Sequence, residues 1–205
     1  MDFVKASHRI DKNGITVFPK FIVCQSEDLM IRGGDFYAIW DEDSGLWNTN
    51  EDFVIKKIDI LLKQYADKIE EQNPDSHVKV CYMWDADSGS IDKWHKYCQK
   101  QMRDNFVMLD ERLIFSNTNT QKTDYASKKL SYPLEKGKHE AYDCLMSVLY
   151  TEEERRKIEW AIGAIVSGDS KNIQKFMVLY GAAGTGKLTV LNIVQMLFEG
   201  HYTVF

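Results

Sequence analysis

The segment from residue 176 to residue 197 limits the fold most, because it joins three local patterns in a fixed order. FMVLY (176–180) is a continuous apolar run, GAAGTGKLT (181–189) is rich in glycine, and the residues after it place apolar side chains at helical spacing. A continuous apolar run beside glycine is typical of a strand buried on both faces. The order of strand, loop and helix predicts the opening of a parallel α/β unit.

The glycine-rich loop fits the pattern G-x-x-x-x-G-K of a phosphate-binding loop. Glycines let the backbone wrap closely around an anion, and the helix that follows adds the positive end of its dipole. Lys187 would place its charge on the β- and γ-phosphates of a nucleotide. The alternative is a glycine-rich turn with a chance lysine. We expect nucleotide contacts from the whole loop, namely Gly181, Ala182, Ala183, Gly184, Thr185, Gly186, Lys187, Leu188 and Thr189.

Leu188 departs from this pattern, because Ser or Thr normally follows the lysine and its hydroxyl holds Mg²⁺. Thr189 is a poor substitute, since it points about 100° further around the helix. We therefore expect phosphate binding with weakened Mg²⁺ binding, and we assign no metal ligand. A P-loop ATPase also needs an acidic residue at the end of another strand, and none follows HYTVF (201–205). The expectation is the N-terminal part of a longer protein, inactive in ATP hydrolysis by itself, with its catalytic residues unassigned.

The rest of the chain predicts a mixed α/β fold in three segments. An α+β accessory region covers 1–138, a helical connector covers 139–170, and the truncated start of a P-loop NTPase domain covers 171–205. Residues 15–49 are β-rich, with a hairpin at Gly33-Gly34. The other predicted elements are a helix over 51–71 capped by Asn50 or Thr49, a strand or helix start over 78–84, a helix over 90–104, and β structure over 106–134.

The start and stop of one connector helix are also predicted. Thr151 and Glu154 form the pattern of a capping box, and Gly168 is a plausible C-terminal stop.

Composition excludes several classes of protein. Hydrophobic residues make up 44% and charged residues 28%, with a net charge of −5, so a compact basic module that coats nucleic acid is not expected. The N-terminus has no secretory pattern, and no apolar run approaches 18 residues, so we expect no membrane contact and a cytoplasmic location. Four scattered cysteines predict reduced thiols rather than a disulfide framework.

Residues 158–205 resemble the primase–helicases of phages and large DNA viruses of the poxvirus type, which carry a superfamily-3 helicase motor. The resemblance is carried by the helix 158–166 with Ile162-Gly163, by Gly168-Asp169, by FMVLY, by the loop, and by Leu191-Asn192. The stretches FYAIWDEDSGLW and LDERLIFSNTNTQKTDYASKKLSYPL are similar to the weakly patterned domain that precedes the motor in that family.

This resemblance implies an ATP-driven replicative DNA helicase that works as a hexameric ring on DNA, in the cytoplasm of a host cell. It implies ATP and Mg²⁺ as cofactors and replication proteins as possible partners. By match to the family's motif, the nucleotide contacts are Gly181, Gly184, Gly186, Lys187 and Thr189. The alternative function is a non-catalytic protein- or DNA-interaction module with a degenerate loop.

The pattern W-D-x-D-S-G occurs twice, at 40–45 and 84–89. Paired aspartates could bind two divalent metals in a primase, with Asp85 and Asp87 as ligands. The alternative is turn chemistry, because Asp, Ser and Gly all favour turns. Turn chemistry is the preferred interpretation.

Three further groups of residues have a functional and a structural interpretation, and we prefer the structural one for each. Cys81, His95 and Cys98 could seed a zinc site, but their spacing is irregular. Basic clusters near two tyrosines could guide single-stranded DNA, but solvated charge on helix and strand faces is the better interpretation. These clusters are Lys128-Lys129, Lys136 with Lys138, and Arg155-Arg156-Lys157, near Tyr125 and Tyr132. The tryptophans 40, 47, 84, 94 and 160 are expected in cores or interfaces.

Overall fold

The computed structural model describes residues 1–22, 26–32, 36–85, 89–101 and 108–202. The described chain is a mixed α/β protein with several helices and small sheets. It divides into two compact units, one made of 1–109 with 121–125 and the other of 110–120 with 126–205. The predicted boundary at residue 138 falls inside the second unit, and the roles assigned to the three predicted segments stay predictions.

The first unit contains two sheets within its described residues. Its strands are β1 (Val4–Asp11), β2 (Gly14–Phe21), β3 (Leu29–Arg32), β4 (Phe36–Asp41), β5 (Leu46–Asn48) and β6 (Val78–Val80). β1 and β2 form an antiparallel hairpin, and β6 pairs in parallel with β2. β3, β4 and β5 form an antiparallel meander, which confirms the β-rich prediction and the predicted β3–β4 pairing.

Two helices cover the first sheet and enclose the larger core. Helix α1 (Glu51–Gln72) is capped by the side chain of Asn50, as predicted, and α2 (Ser90–Gln101) buries Trp94 and Cys98 on one face. Because α1 repeats apolar residues at helical spacing, one stripe of the helix is buried. The core contains Phe3, Val4, Val17, Ile55, Ile58, Leu62, Met83, Trp94 and Tyr97.

The second unit is mainly helical. Its described elements are β7 (Asp110–Ile114), β8 (Ala126–Lys129), α3 (Glu140–Leu149), α4 (Glu152–Ser167), α5 (Ser170–Ile173) and α6 (Lys187–Leu197). β7 and β8 pair in parallel, with an irregular register between Asp110 and Leu113. Two small cores hold the unit together: Leu113, Leu130 and Phe198 form one, and Met146, Ile158 and Val190 form the other.

The boundaries of α4 agree with the sequence prediction at both ends. Thr151 accepts a hydrogen bond from the Glu154 backbone N–H at 3.3 Å, and the Glu154 carboxylate accepts one from the Thr151 N–H at 2.9 Å. Gly168 ends the helix with a left-handed φ of 76°. These signals are local hydrogen-bonding patterns, so the sequence alone is enough to place them.

The predicted buried strand over 176–180 is wrong. In the described part of the chain no strand pairs with these residues, and the exposed fractions of Phe176, Val178 and Tyr180 are 89%, 68% and 98%. Leu179 packs against the Met146–Ile158–Val190 core. A strand buried on both faces needs paired strands beside it and cover on both faces, and the described residues supply only helical cover for Leu179. The strand–loop–helix unit is therefore present only as loop and helix.

Several predictions fall outside the described residues. These are the turn at Gly33-Gly34, Cys24, Asp87, the end of the helix predicted to 104, the start of the β region at 106, and the last residues of HYTVF.

Within the part that the structure describes, no helix has the length and apolarity that a membrane span requires.

Candidate phosphate-binding loop

The backbone of the loop 181–189 bends through its glycines into the first turn of α6. Gly184 and Gly186 have φ values of 79° and 76°, in the left-handed region that favours glycine. Gly186 is the N-cap of α6, and no side chain caps this end of the helix. The first N–H groups of α6 therefore lack a side-chain acceptor and point back towards the loop, where they can donate to an anion.

Lys187, the first residue of α6, folds its side chain back over the loop. Its Nζ donates to the carbonyl oxygens of Gly181 at 2.9 Å and Ala182 at 2.5 Å, and to the Thr185 hydroxyl at 3.0 Å. Thr185 in turn donates to the carbonyl of Ala182 at 3.0 Å. The one charged group of the loop is thus held at its centre by polar atoms of the same loop.

The two residues after the lysine do not complete a metal site. Leu188 is 69% exposed and has no oxygen, and Thr189 is also exposed. Among the described residues, no group of three or more His, Cys, Asp or Glu side chains is placed to hold a metal ion. The described residues around the loop therefore do not form a site for Mg²⁺.

A groove of about 300 Å³ lies beside the loop in the second unit. Gly181, Thr185 and Lys187 line it, together with residues 177–180. The remaining wall comes from the end of α3 and the start of α4, with Leu149, Tyr150, Glu154, Lys157 and Ile158. The groove offers apolar surface next to the single loop cation.

The sequence did not predict that the end of α3 and the start of α4 line the groove, because these residues lie far from the loop along the chain. Leu149 is the clearest case: a Cβ placed on Gly186 would meet its side-chain carbons at 2.7 Å. The spacing of apolar residues in α3 indicates a buried face, but it does not indicate that this face supports the loop.

The repeated W-D-x-D-S-G pattern is a turn in its first copy. Asp41 accepts a hydrogen bond from the Ser44 hydroxyl at 2.7 Å and forms an ion pair with Lys57. Burial alone would raise the pKa of Asp41, but the hydrogen bonds from Lys57 and Ser44 outweigh burial and hold the pKa below its ordinary value. In the second copy Asp87 lies outside the described residues, and Asp85 is half-buried.

The zinc interpretation also finds no support. His95 pairs through Nε2 with the Glu51 carboxylate at 2.6 Å, and Cys98 is buried in the larger core of the first unit. Burial raises the pKa of the Cys98 thiol, so the thiolate that a metal needs is disfavoured. Cys81, His95 and Cys98 are not among any metal-binding group in the part of the chain that the structure describes.

The basic clusters of the second unit are largely balanced by neighbouring acids. Arg156 and Lys157 pair with glutamates four residues earlier on α4, and Arg155 pairs with Asp143 and Glu159. Lys128 pairs with Glu111 at 2.9 Å. Solvated charge is therefore the better interpretation of these clusters.

The tryptophans differ in burial. Trp47 and Trp94 are buried, whereas Trp84 and Trp160 are each 57% exposed.

Compared with known protein families, curated proteins and solved structures, the chain has no match. Its function is therefore inferred from the residues and from the geometry of the loop.

Proposed function

We propose that the loop 181–189 binds the phosphate groups of a nucleotide, ATP in the first place. The observation that carries the proposal is the joint geometry of Gly184, Gly186 and Lys187: two left-handed glycines lead into an uncapped helix N-terminus beside a lysine that faces the loop. Loops of this shape present consecutive N–H groups to an anion.

Binding requires an exchange of hydrogen bonds at Lys187. Its ammonium group leaves two neutral carbonyl oxygens and one hydroxyl, and takes phosphate oxygens in their place. The present bonds already have a charged donor, and a phosphate oxygen adds the Coulomb attraction between opposite charges. The exchange is therefore favourable in enthalpy, while the exposed position of the loop keeps the net affinity modest.

We further propose that the chain is the N-terminal part of an ATP-dependent replicative DNA helicase of the phage and viral primase–helicase type. The support is the resemblance of residues 158–205 to that family. DNA, a hexameric assembly and replication proteins are the partners that this proposal implies. Leu188 is the departure from the family pattern, and it argues that Mg²⁺ contributes less to nucleotide binding here.

A second candidate is the non-catalytic interaction module. The exposure of Phe176, Val178 and Tyr180 favours it, because such a contiguous apolar segment on a protein surface commonly marks a contact with another protein. In this case the loop binds an anion weakly or not at all.

The test is a calorimetric titration of ATP, with and without Mg²⁺, into the wild-type chain, Lys187→Ala and Lys136→Ala. Lys136 is an exposed lysine outside the loop and serves as the matched control. We expect wild-type and Lys136→Ala to bind equally and Lys187→Ala to lose at least about 10-fold in affinity, as a lost charge-assisted hydrogen bond implies. Equal binding by all three proteins would refute the phosphate-loop proposal, and no binding by any would favour the interaction module.

A second variant tests the interpretation of Leu188. Leu188→Ser restores the hydroxyl that holds Mg²⁺, so ATP affinity in the presence of Mg²⁺ should rise while affinity without Mg²⁺ stays the same. No gain with Mg²⁺ would show that the hydroxyl is not what limits metal binding at this loop.

A further inference from the structure

One face of the β1–β2–β6 sheet in the first unit carries a set of cationic side chains. Side chains alternate between the two faces of a strand. Val4 and Val17 lie in the core, so Lys5 and Arg9 of β1 stand on the opposite face. Lys20 pairs with Lys5, and Lys79 pairs with Thr16, so Lys20 and Thr16 of β2 and Lys79 of β6 lie on the same face. We call it the outward face and define it by Lys5, Ser7, Arg9, Asp11, Thr16, Phe18, Lys20 and Lys79, of which Asp11 is the one acidic residue.

Most of these cations have no counter-charge among the residues that the structure describes. Lys5, Lys20 and Lys79 are exposed, and in the described part of the chain their side chains form no ion pair and no hydrogen bond. Arg9 has only a 4.0 Å contact with Asp11, and both side chains are largely exposed. The basic residues of α4 differ, because each is paired with an acid.

The positions of Lys5 and Lys20 add to this argument. They are direct partners across the antiparallel ladder. Like charges in such a pair repel each other and destabilise the sheet. A bound anion would relieve this repulsion.

A hollow of about 590 Å³ borders the outward face. Arg9, Asp11, Thr16, Phe18 and Lys79 line it, together with Lys93 from the first turn of α2. Phe18 lies between the cations of β1 and β6, and it is half-buried. Within the described residues its ring has no aromatic partner. Its surroundings therefore combine a half-buried ring with several ammonium or guanidinium groups, the carboxylate of Asp11 and the hydroxyl of Thr16.

We propose that the outward face binds a single-stranded nucleic acid, with the backbone along the cations and a base stacked on Phe18. Arg9, Lys79 and Lys93 would contact phosphates, with Lys5 and Lys20 extending the path along the hairpin. A ring among separated cations matches the alternation of bases and phosphates in a single strand. A duplex fits less well, since its base faces are hidden in the stack.

This inference concerns a different unit from the nucleotide loop. It does not depend on ATP binding, so either proposal can fail while the other stands. The net charge of −5 does not oppose it, because binding depends on the local charge of the face.

The experiment measures the fluorescence anisotropy of labelled oligothymidylate and of oligouridylate with the full chain at several salt concentrations. The variants are Lys79→Ala, Arg9→Ala and Phe18→Leu, with Lys136→Ala as the charge control. Each lost phosphate contact should weaken binding several-fold and reduce the slope of log affinity against log salt by about 0.7. Phe18→Leu keeps an apolar side chain but removes the stacking surface, and should weaken binding about 10-fold without changing that slope.

Circular dichroism of every variant excludes loss of folding as the cause. The proposal is supported when Phe18→Leu and the charge variants both weaken binding while Lys136→Ala does not. It is overturned when no oligonucleotide binds, when Lys136→Ala weakens binding as much as Lys79→Ala, or when Phe18→Leu has no effect. The last outcome would identify a general polyanion surface, and equal binding of a duplex would do the same.

Discussion

The buried carboxylate of Asp28 holds the segment 121–125 through its ion pair with Lys122. This carboxylate accepts hydrogen bonds from the Lys122 ammonium at 2.5 Å and from the Asp2 backbone N–H at 3.0 Å. Burial alone would raise the pKa of Asp28, but the hydrogen bond and charge of Lys122 reverse this effect and hold the pKa below its ordinary value of 3.8. Lys122 belongs to the short segment 121–125 that the first unit includes.

The first prediction is therefore that Asp28→Asn destabilises the chain by about 2 kcal/mol at neutral pH, because it removes hydrogen bonds to a charged acceptor. The measurement is urea unfolding of both proteins. A carboxylate with a lowered folded pKa stabilises the fold above its unfolded pKa, and this stability is lost as the pH falls through the folded pKa. The difference between the two proteins should consequently shrink below about pH 4.

Asp67→Asn is the control for this prediction. Asp67 pairs with Lys63 on α1 at 3.4 Å, and both side chains are more than half exposed. Exposed pairs of this kind contribute little to stability. An equal loss of unfolding free energy in the two variants would mean that the burial of Asp28 does not increase its contribution to stability.

At the level of elements, the start of α6 depends on Gly186. Its φ of 76° costs a residue with a Cβ about 1–2 kcal/mol, and a Cβ there would also press on Leu149 at 2.7 Å. We expect Gly186→Ala to destabilise the chain by at least that amount and to abolish ATP binding. Thermal unfolding and the calorimetric titration measure the two effects.

Gly163→Ala provides a contrast within the same unit. Gly163 lies in the middle of α4, and a Cβ there meets no atom within 4 Å. Alanine is the better helix former, so this variant should gain about 0.5–1 kcal/mol. A loss in both variants would indicate that the conformation at Gly186 is not the cause.

How much the sequence predicts differs from element to element. The capping box of α4, the Asn50 cap of α1 and the helix after the loop are encoded within a few residues, and the structure confirms them. Local sequence could not show whether 176–180 forms a buried strand, because burial on both faces depends on partner residues far along the chain. The outward face was missed for a similar reason, since it needs the pairing of β2 with β6, about sixty residues apart. Alternation of polar residues in β1 was the available signal.

For the whole molecule, the exposed apolar segment 176–180 is the feature with the clearest consequence. Phe176, Val178 and Tyr180 are largely exposed, and their backbone groups form no hydrogen bonds within the described residues. Unpaired backbone beside apolar side chains is a template for pairing with another chain. A net charge of −5 over 205 residues gives only modest repulsion between copies.

We therefore expect the chain to self-associate as its concentration rises, and Val178→Lys to shift it towards the monomer. Sedimentation at several concentrations measures both effects. Lysine is effective because a charge at the middle of the segment must be desolvated in any pairing. Leu134→Lys is the matched control, since Leu134 is 65% exposed in the same unit but outside the segment. A monomer at all concentrations, or an equal response to both lysines, would contradict the expectation, because association would then not use the segment 176–180.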